Sequence, residues 1–149
     1  METTDNKQFN NLEKAVLEWF VTNYKDENLT AQIRSTRLKE REWTKVGFYI
    51  SMEVPHDLRP IDFPGLPQIR SVIDARPISS RILSKIKSFV KPEIKKNFAL
   101  DGPFIKSEDI ELNGGSVLFC KDGYINYLEM YAFGHLFKEH VGNFELSLT

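Results

Sequence analysis

The sequence predicts a single α+β domain over residues 1–149, with an N-terminal helix packed on an antiparallel sheet of about five or six strands and a second helix inserted. Three patterns lead to this prediction. Apolar residues recur at helical spacing over residues 10–25, alternate with polar residues over Trp43–Val54, and form two runs that meet at Asp122-Gly123. A chain of this length can bury a substantial core.

The first of these patterns predicts the N-terminal helix. Asn10 suits the N-cap position because its side chain can accept a hydrogen bond from a backbone N–H of the first turn, and Glu13 follows three residues later, as in a capping box. Residues three and four apart share one helix face, so the apolar stripe is expected to pack on the sheet. The stripe consists of Leu12, Ala15, Val16, Trp19, Phe20 and Tyr24.

Two strands are predicted next, joined by a charged turn at residues 39–42. The first strand, near Thr30–Lys39, is highly polar, which is typical of a sheet edge or of a strand that faces water. The second, within Trp43–Val54, alternates like a half-buried strand. Its buried face is predicted to carry Val46, Phe48, Ile50, Met52 and Val54.

The middle and the end of the chain give weaker signals. Four prolines in the segment 55–67 predict a loop, and a short strand is predicted over 69–75. A helix is predicted to begin at residues 79–80 and to end at Pro92, which cannot continue a helix. The tail, 143–148, is predicted to add a last strand with Phe144, Leu146 and Leu148 on one face.

The strongest local signal is Asp122-Gly123. A type I′ turn requires positive φ at both central residues, which Gly adopts without strain, so the sequence predicts a β-hairpin within Ser116–Phe133. Uninterrupted pairing would set Ser116 opposite Glu129. One face of the hairpin would then carry Leu118, Cys120, Ile125, Tyr127, Glu129 and Tyr131.

Composition excludes some classes of protein. The hydrophobic fraction is 41% and the charged fraction 28%, ordinary values for a globular protein. No apolar run reaches the roughly 20 residues that span a bilayer, and the polar N-terminus has no apolar signal region. The single Cys120 cannot form an internal disulfide. We therefore expect a cytoplasmic protein without a membrane partner, and the sequence indicates no particular oligomeric state.

The charge is unevenly distributed although the net charge is only −1. Residues 61–100 carry eight basic and three acidic side chains, whereas residues 101–131 carry two and six. Such charges either lie on separate solvated faces or form a surface for a charged partner. The basic residues within 81–96 could contact phosphate, but they lack interleaved aromatic side chains, so a nucleic-acid partner is not expected.

Glu129 is the one carboxylate predicted on a largely apolar and phenolic face. A carboxylate in such a place is either hydrogen-bonded or has a raised pKa, because burial disfavours its charge. It could be a general base, an acid that binds a partner, or a structural glutamate paired with an arginine or a tyrosine hydroxyl. No second acid or nucleophile is predicted beside it.

Other catalytic and metal signatures are missing. His135 and His140 are five residues apart, which would put them on different faces of a helix, and the segment has one residue too many for the inverted zinc-protease motif. Cys120 lies in an apolar run typical of the core. We therefore expect no catalytic residue, no metal and no cofactor.

The stretch from Gly102 to Glu139 resembles a pattern found in small bacterial proteins. Its elements are GPFIKSEDIEL, a Gly-Gly turn, and SVLF-x-KDGYI-x-YLEMYAFG, which together cover about a quarter of the chain. Such proteins are often encoded beside secreted or contact-delivered toxins, and some are similar to the immunity proteins of these polymorphic toxin systems. The resemblance implies a small cytoplasmic binding protein rather than an enzyme, and it supplies no catalytic residues.

The leading hypothesis is therefore an immunity protein that binds and neutralises a cognate toxin domain. Charge complementarity and a few aromatic or arginine anchors would provide recognition. The candidate contacts are Glu108, Asp109, Glu111, Glu129, Tyr131, Arg34 and Arg37. The alternative hypothesis is a domain that binds or converts a small molecule, with Glu129 in a tyrosine-lined pocket.

Overall fold

A computed structural model describes residues 8–62 and 97–148, within which two helices precede seven strands. The helices are α1 (Asn11–Tyr24) and α2 (Glu27–Ser35). The strands are β1 (Arg37–Trp43), β2 (Gly47–Glu53), β3 (Phe98–Asp101), β4 (Phe104–Lys106), β5 (Gly114–Lys121), β6 (Tyr124–Ala132) and β7 (Glu145–Ser147).

The described strands form one open sheet in the order β1-β2-β6-β5-β4-β7, and β3 pairs with β5 beside β4. Every pairing is antiparallel. The predicted α+β class and the antiparallel sheet are thus confirmed, with more strands than predicted. The hairpin strands β5 and β6 lie in the middle of the sheet, and β1 lies at one edge.

The N-terminal helix is confirmed, together with its cap. The Asn10 side chain accepts a hydrogen bond from the Glu13 backbone N–H (2.8 Å), and Glu13 Oε1 accepts one from the Asn10 N–H (2.9 Å). This reciprocal pair is a capping box. The buried side of α1 joins the main core against the sheet through Leu12, Val16, Leu17 and Phe20.

The strand predicted near Thr30–Lys39 is wrong in its first part, which forms α2. Asp26 caps this helix by accepting a hydrogen bond from the Leu29 backbone N–H (2.9 Å). Leu29 and Ile33, four residues apart, are both buried, so helical burial outweighs the polar alternation. The charged turn predicted at 39–42 is also wrong, because these residues belong to β1.

The predicted hairpin and its turn are confirmed, since φ is +56° at Asp122 and +85° at Gly123. Its predicted register is wrong beyond Ile125. Cys120 pairs with Ile125, but Phe119 pairs with Tyr127, so Asn126 is an extra residue in β6. Because a shift of one residue moves side chains to the opposite face of a sheet, the β-bulge exchanges the two faces for every residue of β6 after Asn126. Glu129 consequently lies opposite Val117, not Ser116.

The bulge divides the predicted hairpin face between two sides of the sheet. Leu118, Cys120 and Ile125 belong to the main core beneath the helices, where Leu128 and Met130 join them. The other side holds a smaller buried cluster of Val117, Phe119 and Tyr131, with Ala99 and Tyr127 packed against it. Tyr127, Glu129 and Tyr131 therefore share a face that Leu118 and Cys120 do not.

Gln32 connects α2 to the hairpin turn from a fully buried position. Its Nε2 donates to the carbonyls of Arg59 and Gly123 (3.0 Å each), and its Oε1 accepts from the Ile125 backbone N–H (2.9 Å). The Gly123 carbonyl also accepts from the Ile61 N–H (2.6 Å). The turn is thus held by the helix layer and by the segment after β2.

A buried ion pair connects α1 to the edge strand. Arg41 Nε donates to Glu13 Oε2 (2.6 Å), and Arg41 Nη2 donates to Glu13 Oε1 (2.7 Å). The Glu13 side chain is fully buried and that of Arg41 is 18% exposed. Since Glu13 also completes the helix cap, one carboxylate fixes both the start of α1 and its position on β1.

The remaining predictions are confirmed only in part. The predicted loop 55–67 contains no helix or strand as far as Asp62, and its remainder lies outside the described residues. The strand predicted over 69–75, the helix predicted to end at Pro92, and the basic residues of 81–96 lie outside them too. The last strand is confirmed as β7, with Phe144 and Leu146 packed against the core and Leu148 exposed.

Candidate binding surface

Three connecting segments meet at one end of the sheet. They are the β1–β2 turn (44–46), the β4–β5 loop (107–113) and the β6–β7 segment (133–144). Backbone hydrogen bonds tie them together: from Ala132 N–H to Val46 (2.8 Å), Phe133 N–H to Asn113 (2.8 Å), Glu111 N–H to Leu136 (2.7 Å) and Phe137 N–H to Lys45 (2.6 Å). The Trp43 indole N–H also donates to the Phe137 carbonyl (2.7 Å). The loops therefore hold one another in place.

Four large apolar side chains are exposed on these tied loops, and we call them the terminal surface: Val46, Leu112, Phe133 and Leu136. Single exposed apolar residues are ordinary in soluble proteins, but several on adjoining loops are typical of a surface for interaction. Of the five large apolar side chains exposed within residues 8–62 and 97–148, only Leu148 lies elsewhere, after β7.

Leu112 has the most unusual environment of the four. Its side chain is 72% exposed, and its φ of +58° lies in the left-handed region. That conformation costs a residue with a Cβ roughly 1–2 kcal/mol. Leu112 gains little burial to offset this cost. Backbone strain of this kind concentrates at functional sites, which makes Leu112 the leading candidate for a contact residue.

Phe133 links the terminal surface to Tyr131, one of the candidate contact residues. Its ring lies 5.8 Å from the Tyr131 ring, nearly perpendicular to it, and 5.9 Å from the Phe104 ring. Tyr131 itself is only 4% exposed. Tyr131 therefore supports Phe133 from beneath and is not an exposed anchor.

Two of the three acidic candidates have structural partners in the tied loops. Glu111 Oε1 accepts from the His135 backbone N–H (2.6 Å). Asp109 Oδ2 accepts from the Gly142 N–H (2.8 Å), and Asp109 Oδ1 lies 3.5 Å from Lys138 Nζ. Glu108 is exposed and has no hydrogen bond or ion pair within the described parts of the chain. Of the three acidic candidates, Glu108 is thus the most available to a partner.

A cavity of about 610 Å³ adjoins Leu112. Its apolar lining includes Ile110 and Phe144, and three carboxylates and one ammonium line it as well. The charged groups are Glu108, Glu111, Glu145 and Lys106. The excess of carboxylates gives the surroundings of Leu112 a negative character.

We expect the contacts of Asp109 to make the free energy of unfolding depend on pH. The Gly142 N–H holds the pKa of Asp109 below its usual value, with a smaller contribution from Lys138. A carboxyl whose pKa is lower in the folded state stabilises the fold above its unfolded pKa, and loses that effect as the pH falls through its folded pKa. Urea denaturation should therefore show an Asp109→Asn variant less stable than the native protein near pH 6, with the difference vanishing towards pH 3.

Glu108→Gln is the matched control for this experiment, because Glu108 is a neighbouring acid without a described partner. Its stability difference from the native protein should stay flat over the same pH range. A difference for Asp109→Asn that persists unchanged at pH 3 would contradict a role for the ionised carboxylate.

The two arginine candidates lie at the opposite end of the sheet. Arg37 begins β1 and pairs with Glu53, whereas the terminal surface begins where β1 ends. The two ends are about 20 Å apart, since β1 has seven residues and a strand rises roughly 3.3 Å per residue. Arg34 lies on α2 and donates to both Glu18 oxygens (2.6 and 3.2 Å). The arginines and the acidic loop therefore do not form one site.

Glu129 lies in the middle of the sheet, 5% exposed, and pairs in register with Tyr49 on β2. The pKa of Tyr127 is raised mainly by burial. The negative charge of Glu129 raises it further, and Tyr49 makes a smaller contribution. Two further cavities lie outside the middle of the sheet. One, of about 690 Å³, lies between the start of α1 and β1, and the other, of about 580 Å³, lies beside the hairpin turn. Glu129 lines neither of these nor the cavity beside Leu112.

Cys120 is fully buried in the main core, and this burial raises the pKa of its thiol. A thiol that stays protonated is a poor nucleophile, so its environment is that of a core residue. None of the helices within the described residues has the length and apolar character required to cross a membrane.

Comparison with protein-family models finds no match, and neither do comparisons with curated protein sequences and with solved structures.

Proposed function

We propose that this protein is an immunity protein, which binds a cognate toxin domain through the terminal surface and thereby blocks it. The exposure of four large apolar side chains on mutually tied loops carries this proposal. Protein interfaces combine apolar anchors with a polar rim, and rigid loops lose little conformational entropy on binding. The resemblance of residues 102–139 to proteins encoded beside toxins supports the same function.

The charge beside Leu112 favours one kind of partner. Glu108, Glu111 and Glu145 outnumber Lys106 around the cavity beside Leu112. We therefore propose that the toxin presents an apolar patch flanked by lysine or arginine side chains. Complementary charges of this kind increase the association rate and oppose binding of other partners. In this proposal the protein acts in the cytoplasm of the bacterium that makes the toxin.

A small-molecule or enzymatic role built on Glu129 has less support. An enzyme needs its acid beside a cavity that substrate can enter. The three described cavities lie elsewhere, and the tyrosines around Glu129 are closely packed with the sheet. The terminal surface, by contrast, is open to a partner.

The proposal is tested with toxin domains encoded beside the gene. The protein, tagged in its own host, should co-purify with one such domain in a fixed ratio, and co-expression should restore growth of cells that produce it. The proposal is wrong if none of the neighbouring toxin domains binds the purified protein and none is neutralised by it.

Substitution at Leu112 should separate binding from folding. Leu112→Asp is expected to weaken toxin binding at least about 30-fold, the effect of losing one apolar anchor at the centre of an interface. Leu112→Gly should weaken it similarly. It should leave the free energy of unfolding unchanged or raise it by up to about 1 kcal/mol, because Gly adopts positive φ without strain. Titration calorimetry and urea denaturation measure the two effects.

Leu148→Asp is the matched control, because Leu148 is 70% exposed and lies outside the terminal surface. Its affinity for the toxin should stay close to that of the native protein. Equal losses for Leu112→Asp and Leu148→Asp, or none for either, would place the interface elsewhere on the protein.

A further inference from the structure

The outer edge of β1 carries backbone groups that no described strand satisfies. β1 ends the sheet on its side and pairs with β2 alone among the described strands. The Thr44 backbone N–H donates to the Gly47 carbonyl of β2 (2.9 Å). Because successive residues of a strand direct their backbone groups to opposite sides, Arg41 and Trp43 direct theirs away from β2. The N–H and C=O groups of these two residues have no hydrogen-bond partner within residues 8–62 and 97–148.

Exposed carboxylates lie along this edge. Glu40 and Glu42 are both exposed and, being two residues apart in the strand, project from the same face of the sheet. The cavity of about 690 Å³ between the start of α1 and β1 is lined by Glu40 and by the exposed Glu139 of the β6–β7 segment. A strand added beside β1 therefore finds open space and meets negative charge.

The basic residues of β1 offset this negative charge only in part. Arg41 is bound by the buried Glu13 carboxylate, and Arg37 lies opposite Glu53 in the register with β2. Lys39, at the irregularity between β1 and β2, is the one cation of β1 without an acid bound to it or opposite it among the described residues. Acidic side chains thus outnumber the basic ones that remain available to a partner.

A second copy of this chain does not fit the same edge. Residues directly opposite each other in an antiparallel pair share one face, so a symmetric pair of β1 strands is centred on a residue. Centring on Glu40 or on Glu42 sets that glutamate opposite its own copy. Centring on Arg41 sets Glu40 opposite Glu42 of the other copy. Like charges directly opposite are destabilising, and charges of this kind commonly prevent association between sheet edges.

We propose that the outer edge of β1 binds an extended segment of a partner protein whose lysine or arginine side chains face Glu40 and Glu42. The segment pairs with the free backbone groups of Arg41 and Trp43. Main-chain hydrogen bonds supply the affinity in this mode of binding, and alternate side chains supply the specificity. The site goes beyond toxin binding, because it uses none of the four apolar side chains of the terminal surface.

The test uses short capped peptides with the repeats Thr-Lys, Thr-Glu and Pro-Lys, and follows backbone amide NMR signals of the native protein. The Thr-Lys peptide should shift the β1 signals in a saturable way and slow hydrogen exchange of the Arg41 and Trp43 amides. The Thr-Glu peptide should bind about tenfold more weakly, because it places like charges opposite Glu40 and Glu42.

The Pro-Lys peptide separates strand pairing from simple attraction of charge. It keeps every lysine of the Thr-Lys peptide, but proline has no N–H to donate to the carbonyls of Arg41 and Trp43. It should bind at least threefold more weakly and leave the exchange of those two amides unchanged. Equal binding of the Thr-Lys and Pro-Lys peptides would overturn the proposal.

Reversing the charge of the edge should reverse its preference. The variant Glu40→Lys/Glu42→Lys should bind the Thr-Glu peptide more tightly than the Thr-Lys peptide. Glu108→Lys/Glu145→Lys is the matched control, since it changes the net charge equally at two exposed residues away from β1 and should keep the native preference.

If the β1 variant does not fold, the three peptides on the native protein still decide the question. The proposal is overturned by an unchanged preference in a folded β1 variant, by peptide-induced shifts confined to residues outside β1, or by no saturable shift. Shifts of the β1 signals that depend on protein concentration without peptide would likewise contradict it, because a second copy would then occupy the edge.

Discussion

Replacing Arg41 by methionine should lower the free energy of unfolding by about 3 kcal/mol, because the variant leaves the carboxylate of Glu13 buried without its counterion. The Glu13 side chain is fully buried, so water cannot replace the two lost hydrogen bonds without opening the junction between α1 and β1. Urea denaturation at pH 7 measures the effect. A loss of stability that small salt concentrations abolish would contradict a buried pair, since screening acts mainly on exposed charges.

Two comparisons make this experiment specific to burial. Arg34→Met removes an exposed arginine that pairs with Glu18 in similar geometry, and it should change stability little. The double variant Glu13→Leu/Arg41→Met should recover most of the lost stability, because apolar groups of similar volume often replace a buried ion pair without cost. The recovery should fall short by roughly the capping-box hydrogen bond, which is about 1 kcal/mol.

Gln32→Leu should lower the free energy of unfolding by a similar amount, about 3 kcal/mol. Leucine fills nearly the same volume but leaves the Ile125 N–H and the Arg59 carbonyl without their bonds to Gln32. Each buried polar group left unsatisfied costs roughly 1–3 kcal/mol. The Gly123 carbonyl keeps its hydrogen bond from the Ile61 N–H, so the loss of Gln32 costs less free energy there. Thermal and urea unfolding should agree on the loss.

Gln32→Glu tests whether the donors of Gln32 matter as well as its acceptor. An ionised glutamate can accept from the Ile125 N–H but cannot donate to the Arg59 and Gly123 carbonyls. The protonated form can donate to one of them, so the variant should be more stable at pH 4 than at pH 7 relative to the native protein. A pH-independent difference would show that the two carbonyls do not depend on Gln32.

The regular elements could be predicted from sequence because burial follows a simple period in each. The stripe of α1 and the Asp122-Gly123 turn are local patterns, and both are confirmed. β2 is confirmed as a strand, but its predicted alternation holds only in part, because Tyr49 is buried as well and Val46 is exposed. The error at α2 has a physical reason. Polar alternation over residues 30–39 favours a strand, but Asp26 caps a helix whose buried residues are only Leu29, Gln32 and Ile33. So narrow a stripe is easily missed.

The sequence contains a signal for the β-bulge in β6, which is overlooked if the hairpin is assumed to pair regularly. Ile125 and Leu128 are three residues apart, so a regular strand cannot bury both in the same core. An extra residue between them can, and Asn126 is that residue. The shift moves Glu129 and its neighbouring tyrosines away from Cys120, which changes the predicted composition of the candidate site.

The terminal surface could not be predicted, because its residues come from three loops that only the sheet brings together. The sequence does indicate the acidic loop, but not that Asp109 and Glu111 fasten backbone N–H groups of the β6–β7 segment. Leu112 carries no local signal, since positive φ at leucine has no sequence signature.

The position of β6 in the sheet has a consequence for synthesis. β2 can pair with β6 only after all the residues between the two strands have been synthesised. Long-range pairing of this kind delays folding, since loop closure precedes any gain from contacts. The loops that present Leu112 and Phe133 depend on that same late pairing. In the proposed function, the binding surface therefore exists only in chains that have already synthesised β6.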